Sequence, residues 1–166
     1  AVSKTESLIK KSVSKQLISD VPIGAFLSGG IDSSLICALM SNASESQIKT
    51  FSIGFEDKQF DESGFARDVA KEIGSDHTEF ILDDRMAQDF IPKIASTFSE
   101  PFADSSQIPT YFVSDLASRE VTVSLSGDAG DELFGGYNRY IFTNSLWQKL
   151  NYLPLPLRAA ISRLFL

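Results

Sequence analysis

Three aspartates on two glycine-rich turns are the residues best suited to chemistry in this chain. Asp32 lies in Ala25-Phe26-Leu27-Ser28-Gly29-Gly30-Ile31-Asp32-Ser33-Ser34. Asp128 and Asp131 lie in Ser126-Gly127-Asp128-Ala129-Gly130-Asp131-Glu132-Leu133-Phe134-Gly135-Gly136-Tyr137. In the first stretch, Ile23, Ala25, Phe26 and Leu27 suit a buried parallel strand. Gly29 and Gly30 permit positive φ and close approach of a ligand to the backbone. Ser33 and Ser34 open an apolar run, Leu35 to Met40, that reads as a helix, and either hydroxyl could cap it. Amides freed by the turn and by the helix start would converge on one point, as a phosphate or pyrophosphate site requires. An aspartate beside such an anion implies a divalent cation between them, and Mg²⁺ is the hard ion for that position. The competing reading is an ordinary strand-to-helix turn.

Two familiar phosphate loops are excluded. Gly24 and Gly29 have Walker A spacing, but Gly30 stands where the lysine must be. The dinucleotide fingerprint G-x-G-x-x-G is also missing. The second loop repeats the logic of the first: a strand, a Ser-Gly turn, carboxylates, then a helix. Its acids could share a Mg²⁺ with Asp32 and with phosphate oxygens. Alternatively Asp131 could simply cap the helix that follows.

The elements that must position these loops can be read from periodicity. Residues 1–19 suggest a helix with Leu8, Ser12 or Val13, and Leu17 on one side and a solvated lysine face on the other. Lys49–Phe55 reads as a strand, where Gly54 marks either close approach of a flat ligand or a simple bend. Asp61 is placed to cap a helix with Phe65, Val69 and Ile73 at helical spacing, ended by Gly74. His77–Leu82 reads as a third strand. A helix starting at Asp83 or Asp84 must break or kink at Pro92. After the polar loop Glu100–Pro109 come a helix over Thr110–Glu120 and a fourth strand, Val121–Leu125. This alternation predicts an α/β fold with a doubly wound parallel sheet. Ligands then bind beyond the carboxyl ends of the strands, which places the loops after Leu27, Phe55 and Leu125 on one rim.

Composition narrows the classes. The 166 residues are 43% hydrophobic, which suits one globular domain with a real core. No run approaches a membrane span, and no signal peptide is visible. A net charge of −7, with scattered lysines and arginines, argues against a nucleic-acid surface. Cys37 is the single cysteine, which fits a reducing cytoplasm. His77 has no cysteine or histidine partner nearby, so it reads as a strand histidine rather than a zinc ligand.

The Ser-Gly-Gly-x-Asp-Ser turn resembles the pyrophosphate loop of the ATP pyrophosphatases, the adenine-nucleotide alpha-hydrolase fold. Together the two loops, Val21-Pro22-Ile23-Gly24 and Phe51-Ser52-Ile53-Gly54-Phe55 resemble the synthetase domain of glutamine-dependent asparagine synthetases. The likeness runs from the helix before Val21 to Tyr140. It implies that Ser28, Gly29, Gly30, Asp32 and Ser33 hold the pyrophosphate part of ATP. Leu27, Ile53, Ser126 and Gly127 would line adenine and ribose, and Asp32 and Asp131 would ligate Mg²⁺. Asp128 stands where many members carry a glutamate linked to forming and using the acyl-adenylate. The implied reaction is ATP-dependent amidation of aspartate through a β-aspartyl-adenylate, releasing AMP and pyrophosphate. Ammonia would come from glutamine through a glutaminase domain of the same parent chain, and a homodimer is the expected assembly.

Departures bear on these expectations. Asp128 is one methylene shorter than the familiar glutamate, and Ala129 replaces a commoner glycine. The Glu100–Pro109 loop has no arginine to clamp an α-carboxylate. A different carboxylate acceptor, another ATP pyrophosphatase, or a nucleotide-binding module without turnover are the alternatives. Cys37 lies mid-helix without a histidine neighbour in sequence, so it is not the glutaminase nucleophile. Residues 1–166 are expected to be part of a synthetase domain, without the glutaminase half or the C-terminal remainder. The apolar tail, Leu153 to Leu166, is expected to pack on a surface the sequence does not identify.

Overall fold

A computed structural model describes residues 1–100 and 103–162. It divides into two compact units, Ala1–Gly127 and Asp128–Leu166. The first holds four parallel strands: β1 (Ile23–Phe26), β2 (Lys49–Phe55), β3 (Asp76–Leu82) and β4 (Val123–Leu125). Their spatial order is β3-β2-β1-β4, so the chain winds outward from β1 to β3 and then returns to the other side of β1. The reversal falls between β1 and β4, and ligands of such sheets bind beside the strand ends at that point.

Helices cover both faces. On one side lie α1 (Val2–Gln16), α2 (Ile31–Ala43) and α3 (Ser63–Ile73), whose core holds Val13, Cys37, Met40, Ala66 and Ala70 against Ala25 and Leu27. The segment returning from β3 contains α4 (Asp84–Phe90), a 3₁₀ turn (Ile91–Lys93), α5 (Ile94–Thr97) and α6 (Gln107–Ser118). Ala117, Leu116 and Val113 of α6 pack with Phe51, Phe26 and Val121 on the opposite face. Alternation along the strands sorts the two sets, since neighbouring side chains point to opposite faces. Each full burial of a side chain such as Leu27 or Phe51 stabilises the fold by about 1.5–3 kcal/mol. Gly24 is required here: a Cβ would lie 2.8 Å from Phe51 Cε2 and 3.1 Å from the Lys49 carbonyl oxygen.

Most expected elements are present, and the differences have local causes. In α1 the inward side is Ile9, Val13 and Leu17, whereas Leu8 is 58% exposed. Leu8 and Val13 are five residues apart, about 140° around the helix, so both cannot face the sheet. In α3 the small residues Ser63, Ala66 and Ala70 are buried and Phe65 is exposed. Asp61 precedes the helix instead of occupying its N-cap, which is Glu62, although its carboxylate accepts from the Ser63 and Phe55 amides. Gly74 adopts the left-handed conformation that ends α3. Asp83 caps α4 by accepting from the Met86 amide at 2.6 Å. Pro92 breaks the helix into a 3₁₀ turn, as its missing N–H demands. α6 begins at Gln107, before Pro109, because a proline in the first turn removes only an amide without an intrahelical acceptor. Among the described residues no helix is long and apolar enough to cross a membrane.

His77, on the edge strand β3, is half-buried and joins a polar chain under the sheet. Its Nδ1 is 2.9 Å from Thr50 Oγ1 and its Nε2 is 3.2 Å from Ser52 Oγ, while Thr50 Oγ1 lies 2.8 Å from Ser75 Oγ. Burial holds this imidazole below the ordinary histidine pKa; Glu79 and the Thr50 bond oppose the shift and Arg67 adds to it. A depressed folded-state pKa means that the unfolded chain takes the proton first. Stability is therefore complete above about pH 6.5 and falls as pH drops through the folded-state value. Chemical denaturation from about pH 7.5 to about pH 5.5 should show a falling midpoint, with a shallower slope for His77→Gln. Equal slopes would assign the pH dependence to other groups.

Candidate active site

β1 delivers the chain to the switch point, where the Leu27 amide donates to the Phe51 carbonyl at 2.9 Å and continues the ladder by one residue. Gly29 then takes φ +81° and Gly30 becomes the N-cap of α2. Two serines lock this turn. Ser33 Oγ accepts from the Ser28 amide at 3.2 Å and lies 2.9 Å from Ser28 Oγ, while donating to the Gly30 carbonyl at 3.2 Å. Ser28 Oγ in turn accepts from the Gly30 amide at 3.3 Å. The expected serine cap is therefore a misreading: no side chain caps α2 among the described residues. Ser33 sits in the first helical turn and folds back on the loop. Ser34 Oγ is buried with no hydrogen-bond partner among the described residues. The first three amides of α2, on Ile31, Asp32 and Ser33, have no intrahelical acceptor and carry the positive end of the helix dipole.

Backbone approach shapes the loop from both sides. A Cβ on Gly29 would lie 2.6 Å from the Ala66 amide nitrogen and 2.7 Å from the Phe65 carbonyl carbon in α3. A Cβ on Gly127, just after β4, would lie 2.6 Å from the Ser33 nitrogen and 2.9 Å from the Asp32 carbonyl carbon. The loop is thus clamped between the first turn of α3 and the end of β4. The carboxylate of half-buried Asp32 has no hydrogen bond or ion pair with a described residue. Its carboxylate is available to a cation and lies beside amides suited to phosphate.

A cavity of about 220 Å³ adjoins the loop on the α6 side of the sheet. Leu27, Ser28 and Ile53 share its wall. Leu27 and Ile53 are two of the four residues that the resemblance assigns to adenine and ribose; the other two, Ser126 and Gly127, are not among the residues lining it. Phe60, Pro109 and Thr110 also line it and were not among the expected residues. Separation in sequence hides Pro109 and Thr110, because the fold alone brings α6 to these strand ends; Phe60 lies in the loop after β2, one of the three loops expected on that rim. Gly54 is not part of this cavity. It faces α3, where a Cβ would lie 2.6 Å from Ile81 Cδ1 and 3.0 Å from Ser63, so it serves packing rather than a ligand. Cys37 is buried, and burial pushes its thiol up to about 12, which agrees with its exclusion as a nucleophile.

In the second unit, Asp128 is exposed and Ala129 is forced to φ +69°. α7 (Gly130–Phe134) follows, then α8 (Asn138–Asn151) and α9 (Leu155–Ser162). Asp131 lies inside the first turn of α7, whose N-cap is Ala129, so the capping alternative for Asp131 is ruled out. A Cβ on Gly136 would run into Asp131 Oδ1, so the absence of a side chain there makes room for that carboxylate. Tyr137 donates to Glu132 at 2.7 Å, which holds the Glu132 carboxyl below its usual range. The Arg139 guanidinium lies 4.1 Å from the Tyr137 ring centroid. Among the described residues no three metal-binding side chains cluster. Carboxylates supplied one or two at a time suit an ion that takes its other ligands from phosphate and water. Pro101, Phe102 and residues 163–166 of the expected substrate loop and tail lie outside the described residues.

The fold and the glycine-serine loop define the class. An NH3-dependent NAD synthetase from Campylobacter jejuni, solved with a nitrate ion, superimposes with a TM-score of 0.57 over 82% of this chain and 60% of its own, at 17% identity. An NMN synthetase from Francisella tularensis gives the same score over 82% and 58%, at 14% identity. The chain therefore has the adenine-nucleotide alpha-hydrolase fold of the PP-loop ATP pyrophosphatases. Within that class, the asparagine synthase family model matches residues 4–165, and the chain belongs to this family. It is 43% identical over 139 residues to glutamine-hydrolyzing asparagine synthetase 1 of Bacillus subtilis, covering 84% of this chain and 22% of the relative. A Methanocaldococcus jannaschii protein named for the same activity is 41% identical over 141 residues, covering 84% and 27%. The chain spans about a quarter of the length of the curated relatives it matches.

The two strained or crowded positions generate opposite expectations. Gly29→Ala should lower stability by about 2 kcal/mol or more, through positive φ and overlap with α3 backbone. Ala129→Gly should raise stability by roughly 0.5–1 kcal/mol, because it releases a left-handed alanine at the cost of some chain entropy. Denaturant titration of both variants checks the signs, and a stabilised Gly29→Ala would refute the clamp.

Proposed function

We propose that the protein is an ATP-dependent ligase that amidates aspartate, releasing AMP and pyrophosphate. One observation carries the reading: an uncapped helix start and a left-handed glycine turn, locked by Ser28 and Ser33, open beside a cavity that contains Leu27 and Ile53. Amides without an intrahelical acceptor suit a pyrophosphate, and the apolar cavity next to them suits a purine. Membership of the asparagine synthase family supports the choice of reaction. The names of the curated relatives support aspartate as the acceptor and glutamine as the nitrogen source.

In this reading the acceptor carboxylate attacks the α-phosphorus of ATP, and the bond from that phosphorus to the bridging oxygen breaks. The amides of Ile31, Asp32 and Ser33 take up charge on the departing pyrophosphate, with Gly29 and Gly30 allowing contact. Asp32 and Asp131 are the carboxylates we assign to Mg²⁺, which when bound would neutralise the phosphates and orient them. Ammonia then attacks the activated carbonyl, AMP leaves, and Asp128 accepts a proton from the incoming amine. Ser126 and Gly127 border the nucleotide in the same scheme. A glutaminase domain of the same polypeptide would supply the ammonia, residues 1–166 would be part of the synthetase domain, and the enzyme would work in the cytoplasm, as a homodimer.

Pyrophosphate release by the full-length protein, with ATP, Mg²⁺ and ammonium, tests the reading. Release should depend on aspartate and yield asparagine; release only with another carboxylic acid would move the substrate, and none at all would overturn the ligase. Asp32→Asn should weaken Mg²⁺-dependent ATP binding at least tenfold, the size expected for losing one charge-assisted ligand. Asp128→Asn should leave ATP binding intact and abolish amide formation. A normal asparagine yield from that variant would remove Asp128 from the chemistry.

A further inference from the structure

We infer that Phe60 is a base-stacking residue, which covers the adenine ring once nucleotide has entered the cavity between β2 and α6. The inference rests on the ATP reading above and adds a residue that neither the loop motif nor the family likeness singled out. Phe60 is 68% exposed although it is one of the residues lining the cavity. A large ring left in water beside an apolar cavity gains free energy when a flat partner covers it.

The loop that carries the ring is held in place at its base. Asp61 Oδ1 accepts from the Phe55 amide at 3.3 Å and the Ser63 amide at 3.1 Å, tying the end of β2 to the start of α3. Within the loop, the Gln59 amide donates to Asp57 Oδ1 at 2.9 Å and the Phe60 amide to the Asp57 carbonyl at 3.0 Å. The ring is thus presented at the cavity by a closed turn, at little further ordering cost.

Size and charge select the occupant. A volume of about 220 Å³ is below that of a site for a whole drug-sized ligand, roughly 300–1,000 Å³. It suits one ring system, with the rest of the molecule leaving across Ser28 toward the α2 amides. The lining contains Glu62 and no lysine or arginine. A phosphate or a substrate carboxylate would therefore meet repulsion there, while a neutral heteroaromatic base would not. Leu27, Ile53 and Val113 supply further apolar wall.

Binding of ATP, adenosine and inorganic pyrophosphate to the full-length protein, with Mg²⁺ present throughout, separates this role from a structural one. Phe60→Ala should raise the dissociation constants of ATP and adenosine by about 5- to 100-fold, the range for losing one base–aromatic stack. Pyrophosphate binding should not change, because the ring lies outside the glycine-serine loop. Phe60→Trp should restore nucleotide affinity, and Phe60→Leu should not. Full affinity with leucine or alanine would overturn the stacking role while leaving the ATP reading in place. A wild-type protein that binds pyrophosphate but neither ATP nor adenosine would overturn both.

Discussion

The structure depends on the close approach of backbone to backbone at two glycines. Gly29 lets the loop after β1 lie directly on the first turn of α3, and Gly127 lets the end of β4 lie directly on the first turn of α2. Any side chain at either position would overlap main-chain atoms, which have no rotamer through which to escape. The switch point of the sheet is therefore filled by main chain, and the amides of the α2 start keep a fixed direction. Ser28 and Ser33 complete the arrangement by exchanging hydrogen bonds inside the loop rather than capping the helix. Had either hydroxyl capped α2, it would have consumed an amide that an anion needs.

Electrostatics agrees with that arrangement. The chain is acidic overall, and an acidic surface is a poor place for a polyphosphate. Local dipoles of the α2 start oppose that acidity, and in the proposed reaction a cation held by Asp32 would add to them. The neighbouring cavity is apolar with one carboxylate on its wall, so it discriminates against anions. In the proposed reaction, phosphate and base would thereby be directed to different ends of the same site by opposite local chemistry.

The sheet carries a second kind of specification on its other face. Thr50, Ser52, Ser75 and His77 form a polar chain beneath α3, where purely apolar packing would also have filled the space. A buried hydrogen-bonded network accepts fewer alternative registers than an apolar layer, because each slip leaves polar groups unpaired. Ser52 belongs to this chain and also lines the cavity, so the network fixes β2 where Ile53 forms part of the cavity wall.

Much of this was legible from residues alone. The alternation of strand and helix, the left-handed stop at Gly74, the Asp83 cap and the break at Pro92 are each determined by neighbours within a few positions. The two glycine-rich turns after apolar strands are equally local, and with the resemblance they carried the fold, the loop and the family. What the sequence could not decide was which side of an element faces inward when two sides are nearly equally apolar. Leu8 against Ile9, and Phe65 against Ala66, were settled by the partner surface. Gly54, which the sequence left as either a close approach of a flat ligand or a simple bend, proved to be a packing contact with Ile81 and Ser63, because β2 turns that face toward α3. Pro109 and Thr110 entered the site only through the crossing of the chain from β3 back past β1, which unites residues far apart in sequence, whereas Phe60 lies in the loop after β2 that the sequence already placed on the rim. Local pattern specifies elements and turns, since those depend on nearby dihedrals and capping groups. The walls of a cavity depend on which distant surfaces bury one another, and that is decided only when the whole unit folds.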